Sequence, residues 1–453
     1  MNIAIIGSGA IGLTIASELS RISNCLKLTI FSDEDCTKTA SKASGAMINI
    51  VSEVDYINRS HPLTSLKLDR YDELMTLWQD FSSYICDEEF SLLQGEGTEV
   101  RCHKESINEL ELLSFDSILS ATNEYGIDHI LEHENSLKSL FLPHEKSVDS
   151  NSLLDKLSLL LSSNEKIFFE TCAVSSLVKN RYGWKVLLDN GKQFQYDYIL
   201  ICAGSFSEKI INNSNDINKP NIKSFFGVGS ALNLYSELPY VHLPRICKII
   251  RTPNRGGTCG IHILERDNSL YIGASSFINP EPINGARSSS LMNLLQGANE
   301  FLNINIEKLS CDVLTGFRPV TSDACPIIGE LDENLYCIYG TKRDGLTWAP
   351  YYSYNISREI LKMNTMNSWR DFKLYCYPYR EYNSAGSIEH CSNSYILSKK
   401  YEALQHNKVL DDNELNDLSN IASIVHRDNF QGKGIYPELI NMFYFGHAIT
   451  NND

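Results

Sequence analysis

A mixed α/β architecture is predicted, a buried parallel sheet with an antiparallel sheet inserted into it (an α+β insertion), and three observations predict it. The chain opens on Asn2-Ile-Ala-Ile-Ile, breaks into Gly7-Ser-Gly9-Ala-Ile-Gly12 and resumes as Leu13-Thr-Ile-Ala-Ser-Glu-Leu19, which reads as strand, tight turn and helix. The same strand, glycine, helix plan returns between Leu335 and Leu361. Between these two, residues 222 to 315 change to several longer strands with one helix, the pattern of an antiparallel sheet.

The first turn carries the chemistry. Gly7 permits the sharp bend, Gly9 lets the backbone approach a pyrophosphate, and Gly12 lets the helix that begins at Ala10 and Ile11 pack on the strand, so that free N–H groups face the anion. A second apolar run, Leu26 to Phe31, ends in Ser32-Asp33-Glu34. An acid about 20 positions beyond the last glycine is where a ribose hydroxyl pair is held. Asp33 is the expected ribose ligand, with Glu34 beside it on the opposite side of an extended strand. Together these make a Rossmann-like dinucleotide-binding unit. The segment Thr37 to Met47 is small and hydroxyl-rich, and Ser41, Ser44, Gly45, Ala46 and Met47 are placed to cover phosphate and ring atoms of a long cofactor.

Leu66, Tyr71, Leu74, Leu77, Trp78 and Phe81 repeat at helical spacing, which predicts one helix over 62–84 with its aromatics in the core. Residues 90 to 148 mix short strands with polar helices. Asp149-Ser-Asn151 caps a helix running to Leu161. Strands are expected at Lys166 to Thr171, Ala173 to Lys179 and Trp184 to Leu188, the last closed by Asp189-Asn-Gly191. Ala173 and Val174 join the cofactor-contact candidates. Tyr198 to Ile201 then runs into Cys202, Ala203 and Gly204, a second backbone bend beside the first glycine loop. In the inserted sheet, strands are expected at Phe225 to Leu234, Ile246 to Arg251, Gly260 to Leu264 and Leu270 to Ala274, with a helix over Ala286 to Phe301.

Thr315-Gly316-Phe-Arg318-Pro319 follows, and the strand Leu335 to Tyr339 leads into Arg343-Asp344-Gly345-Leu346-Thr347, which places a second helix N-terminus at the cofactor. The tail is polar and rich in Asn and Ser, with helices expected over Glu389 to Leu404 and Asp411 to His426. A lid, a homo-oligomer contact and an accessory surface are equally open for it. The expected domains are 1–221 (nucleotide-binding, with elements of the other domain interleaved around 62–148), 222–315 (substrate-binding sheet), 316–363 (return to the first domain) and 364–453 (C-terminal extension).

Composition narrows the partners. A formal net charge of −16 argues against nucleic acid or an anionic membrane surface. Thirteen cysteines, odd in number and without a C-x-x-C pair, read as free thiols of a reducing compartment rather than a zinc or disulfide frame, and no metal is expected. No apolar run approaches the roughly 20 residues of a membrane span, so a cytoplasmic protein is expected.

Several separate motifs in order resemble the flavin-dependent D-amino-acid oxidase superfamily, which includes glycine oxidase and monomeric sarcosine oxidase. They are the Gly7 to Gly12 loop, Thr39 to Met47, Cys202-Ala203-Gly204, Arg251-Thr-Pro-Asn-Arg255-Gly256, Gly316-Phe-Arg318-Pro319 and Lys342 to Pro350, together spanning about residues 1 to 363. The resemblance implies FAD, held between the nucleotide domain and the sheet, with Gly316, Arg318 and the Arg343 to Thr347 loop near it. It implies that Arg318 pairs with a substrate carboxylate, for which a bidentate guanidinium is suited. It places Arg343 near the pocket mouth, where an exposed arginine is the equal alternative, and His262 where a pocket tyrosine stands. Gly316 occupies the place of the cysteine that tethers flavin in sarcosine oxidase, so FAD is expected to be non-covalent. The lysine that speeds reaction with oxygen falls at Tyr271, leaving O2 or another electron acceptor open. The activity implied is oxidation of the C–N bond of an amino acid or amine by hydride transfer to flavin N5. A flavin-dependent 2-hydroxy-acid dehydrogenase, in which His262 would act as base, is the alternative, as is a non-catalytic flavin-holding subunit. A plain NAD-binding domain would leave the Arg318 and Arg343 stretches without a role.

Overall fold

Six strands form the sheet that the opening motif anchors, in the order Ile327–Asp332, Leu335–Tyr339, Tyr198–Ile201, Asn2–Ile6, Lys27–Ser32 and Ile167–Thr171. All neighbours run parallel except the outermost pair, Ile327–Asp332 with Leu335–Tyr339. Ile3, Ala4, Ile5 and Ile6 are buried because both faces of this strand are covered, as an unbroken apolar run in a parallel sheet requires. One covering helix is Ala10–Ile22, which packs against the later helix Ala349–Ile360, so the two glycine turns lie side by side. The computed structural model describes residues 1–33, 38–86, 92–104, 106, 109–134, 136–215, 217–255, 259–302, 306–405, 408–430 and 432–444.

A nine-stranded sheet stands beside it. Its spine is Ser224–Tyr235, which pairs along its whole length with Ser310–Thr321 and on its other edge with Phe277–Asn279 and Ser269–Gly273. The sheet continues through His262–Arg266 and Ile249–Arg251 to Thr98–His103, Leu137–Leu142 and Ile130–Glu134. Only the junction of Ile249–Arg251 with Thr98–His103 is parallel among these pairs. The boundary drawn at residue 316 therefore falls inside a strand of this sheet, because Arg318 pairs with Gly227 as part of a continuous antiparallel ladder.

Smaller differences have local causes. The helix expected over 62–84 is two, Pro62–Asp69 and Tyr71–Ile85, broken where Arg70 leaves the helical region at φ −112° and ψ 22°. Asp149 caps the helix Ser150–Ser162 by accepting from the Ser152 N–H at 2.9 Å. The extension adds two unforeseen helices, Asn367–Cys376 and Pro437–Tyr444, to the expected pair, observed as Ile388–Gln405 and Asp412–Ile424. It is part of the core. Trp369 and Phe372 stack beside Trp348 and Tyr351, while Tyr395, Leu418, Leu439 and Ile440 close over Phe225, Ile278 and Val320 of the large sheet.

Candidate active site

A cavity of about 800 Å³ runs between the two sheets. At one end Gly7, Gly9, Ala10 and Ile11 present backbone to it. Gly7 has φ +124°, and a Cβ there would lie 2.3 Å from the Cys202 carbonyl oxygen, so the two bends expected to meet do touch. Gly12 has a different duty: its Cβ would fall 2.0 Å from the Gly7 oxygen, and it packs the turn without lining the cavity. Ser41 Oγ accepts the Ala10 N–H at 3.1 Å, closing a helix whose N-cap, Gly9, has no side chain of its own. Asp33, just beyond the Phe31 carbonyl that accepts the Gly7 N–H at 3.0 Å, lines the cavity with Ala173 and Val174, whereas Glu34, Thr37 and Gly256 lie outside the described residues. Ser44, Gly45, Ala46, Met47, Cys202, Ala203 and Gly204 line the walls as expected.

The second glycine turn closes the cavity from the other side. Gly340 and Lys342 adopt φ of +76° and +50°, and the loop carrying Asp344, Gly345, Leu346 and Thr347 faces inward. Two distant side chains pin this loop: Lys67 Nζ donates to Asp344 Oδ1 at 2.9 Å and Trp78 Nε1 to the Thr347 carbonyl at 2.9 Å. Gly316 does not line the cavity. Its Cβ would meet Ala43 Cβ at 2.7 Å and the Thr39 oxygen at 2.9 Å, so it lets the Arg318 strand press against residues 39–43.

Arg318 does line it. Nη1 donates to the Ser275 carbonyl at 3.1 Å, and among the described residues no carboxylate lies within ion-pair distance of this guanidinium. Its side chain crosses a groove made by Gly227 and Gly229 of the neighbouring strand, and a Cβ on Gly229 would lie 2.2 Å from Nη1. Beside it, His262 stacks on Tyr271 at 5.7 Å between ring centres. Glycines box this pair in, since a Cβ at Gly45 or Gly273 would come within 2.8 or 2.6 Å of His262 Nε2. Burial, assisted by the Arg251 charge, depresses His262 to about 3, so the ring is neutral at ordinary pH. Burial also pushes the Tyr271 phenol up to about 12, and its hydroxyl donates to the Ala43 carbonyl at 2.8 Å.

Arg343 is corrected. It borders the cavity, but its guanidinium is committed to two carboxylates, Glu53 at 3.4 Å and Glu438 of the last helix, so it acts as an ion-pair hub rather than an open substrate ligand. Glu53 also binds Arg251 Nη1 at 2.8 Å, and Glu438 binds Lys342 Nζ at 3.0 Å. Burial opposes ionisation of Glu53, yet the Arg251 and Arg343 charges outweigh it and hold the carboxyl well below its usual range. The Arg251 to Arg255 motif is likewise structural: Asn254 Nδ2 reaches Asp55 at 2.8 Å and Arg255 reaches Glu111 at 3.2 Å. Sequence reasoning missed Glu53, Lys67, Ser275 and Glu438, none of which stands in a motif. The alternating glycines 227 and 229 were the one available sign that a long side chain crosses that strand. Among the described residues no three His, Cys, Asp or Glu converge on a metal site, and no helix is long and apolar enough to cross a membrane.

A family model described as DAO, FAD dependent oxidoreductase, matches residues 2–356. No curated protein matches the chain by sequence. Among solved structures, iminodiacetate oxidase from Chelativorans sp. BNC1 superposes with a TM-score of 0.66 at 17% identity, covering 83% of this chain and 99% of that one. Glycine oxidase from Geobacillus kaustophilus gives 0.65 at 19% identity, covering 80% and 95%. L-alpha-glycerophosphate oxidase from Mycoplasma pneumoniae, with FAD bound, gives 0.63 at 16%, covering 84% and 97%. At these identities the likeness carries the fold. The family match ends before the extension whose last helix supplies Glu438.

Proposed function

This chain belongs to the DAO family of FAD-dependent oxidoreductases, and from that premise we propose that it oxidises the C–N bond of an amino acid or secondary amine to an imine. The observation that carries this reading is Arg318, a guanidinium with no carboxylate partner among the described residues, facing the cavity beside a neutral imidazole and a phenol.

The cavity fits FAD on the chain's own terms. Its volume of about 800 Å³ is in the range of cofactor sites, the bare backbone at Gly7 and Gly9 leaves room for a pyrophosphate at a helix N-terminus, and Asp33 lines the cavity near that turn for the ribose. FAD held there supplies a two-electron acceptor that takes up hydride. Gly316 stands where a tethering cysteine would be, and Cys325 is fully buried and does not line the cavity, which supports non-covalent binding.

The protein's part is orientation. Arg318 takes a substrate carboxylate in a planar fork and fixes the adjoining carbon against the cofactor. Arg318, without a carboxylate partner among the described residues, favours the amine as the free base; its proton goes to solvent before the carbon loses hydride. The imine is then hydrolysed by water to a carbonyl compound and ammonia, or a primary amine where the substrate was a secondary one; O2 or another acceptor would take the electrons.

A hydroxy-acid reaction needs a base for the hydroxyl proton, and an imidazole depressed to about 3 is a weak one. The test is a matched panel, each amino acid against its 2-hydroxy analogue, mixed anaerobically with the purified flavoprotein. Bleaching of the flavin by the amino acid, with carbonyl product in equal amount, is expected. Bleaching by the hydroxy acid alone would overturn the proposal.

A further inference from the structure

A second cavity of about 650 Å³ adjoins the first, and the two share Cys259 and Ala274 as walls. One side is the helix Ser288–Leu302, which contributes Ser290 and Asn293; the other is the C-terminal extension, which contributes Tyr401, Leu418 and Asn441. Ser275 lines it too, and the Ser275 carbonyl is the atom that holds Arg318 Nη1. A carboxylate bound at Arg318 therefore sits one residue away from this second space.

The charges around the chamber are largely matched within it. Lys399 pairs with Glu402 at 2.6 Å, Lys408 pairs with Glu414, and the Arg287 guanidinium lies 3.6 Å from the centre of the Phe277 ring. An acceptor remains: the Asp417 carboxylate lines the exposed side of the wall and has no ion-pair partner among the described residues.

We propose that this chamber receives the distal part of the substrate, which is an amino acid whose carbon or nitrogen substituent is several atoms long and ends in hydrogen-bond donors. The inference rests on the amino-acid reading above and adds a specificity role for the extension. The two-carbon frame of glycine fills only the Arg318 end, whereas ligand sites of roughly 300–1,000 Å³ enclose far larger molecules. A donor-bearing end can pair with the carboxylate on this wall, which an apolar end of the same length cannot.

The test uses the full-chain flavoprotein and four probes, glycine, norleucine, lysine and arginine, the last three as both enantiomers. Binding is read as perturbation of the flavin absorption and turnover as anaerobic bleaching. Lysine or arginine should bind at least tenfold tighter than glycine and more tightly than norleucine. Asn293→Trp, which fills the chamber, should remove that advantage while leaving glycine within twofold. Asp417→Asn should weaken lysine and arginine and spare norleucine. Equal affinity for glycine and the long amines, an equal loss for both in Asn293→Trp, or no spectral perturbation by any probe would overturn the proposal. Perturbation in the expected order without bleaching would instead overturn the C–N oxidation reading and leave the chamber assignment standing.

Discussion

Replacing Arg318 is the sharpest perturbation of the site. Among the described residues its guanidinium has one hydrogen-bond partner, the Ser275 carbonyl at 3.1 Å, and no neighbouring carboxylate is orphaned by its removal. Arg318→Met keeps the length and removes the charge-assisted pair, worth about 2–3 kcal/mol, or roughly 30- to 150-fold in kcat/KM. Arg318→Lys keeps the charge and loses the fork, for which about tenfold is expected. Gly229→Ala reaches the same end indirectly, because its Cβ would stand 2.2 Å from Nη1 and force the guanidinium aside; it should lose at least as much as Arg318→Lys. The assay is the anaerobic rate of flavin bleaching against substrate concentration, run for an amino acid and for the amine obtained by removing its carboxylate. The loss should appear for the first and not the second. An equal loss for both, or none, would refute the role given to Arg318.

Glu438→Gln strips a carboxylate from partly buried Arg343 and Lys342, which should cost about 1–3 kcal/mol and lower both the melting temperature and flavin retention; unchanged values would show that the hub is not needed. Gly7→Ala should give protein without bound flavin, because the added carbon meets the Cys202 oxygen at 2.3 Å, and normal flavin content would contradict the convergence of the two bends. Burial holds His262 at about 3 and His61 at about 4, below the ordinary 6.5. Across that window the unfolded chain binds protons that the native state refuses, so stability is full above about pH 6.5 and falls as pH drops toward 3. Denaturant titrations should show this slope and a shallower one in His61→Asn; equal slopes would be contrary. Because only the free amine reacts, kcat/KM should rise with pH toward the amine's own pKa, with no step assignable to His262; a step lost in His262→Asn would reverse that conclusion.

What could be read in advance follows the range of the interactions. The Gly7 turn, its strand and its helix are contiguous, and the buried strands betray themselves by unbroken apolar runs, so the nucleotide half was legible from residues alone. Arg318 was legible only through the motif around it. Arg343 was not, because what decides its role comes from Glu53, 290 positions away, and from Glu438, 95 positions on, in a tail whose polar surface hides a buried face. Elements of the second domain were expected around 62–148, but which strands pair was not legible, because the register that joins Ile249–Arg251 to Thr98–His103 leaves no local trace. Gly316 and Gly12 share a lesson, since each stands in a cofactor motif and each serves close packing of chain on chain.

The central claim, that two distant glycine turns enclose one flavin presented to an amine held by Arg318, is tested most directly by the visible spectrum of the purified protein before and after anaerobic addition of amino acids. The account predicts an oxidised flavin spectrum, lost on addition of an amino acid, with all flavin released into the supernatant when the protein is denatured. A colourless protein that takes up no added FAD, or a flavin that no amino acid bleaches, would contradict it.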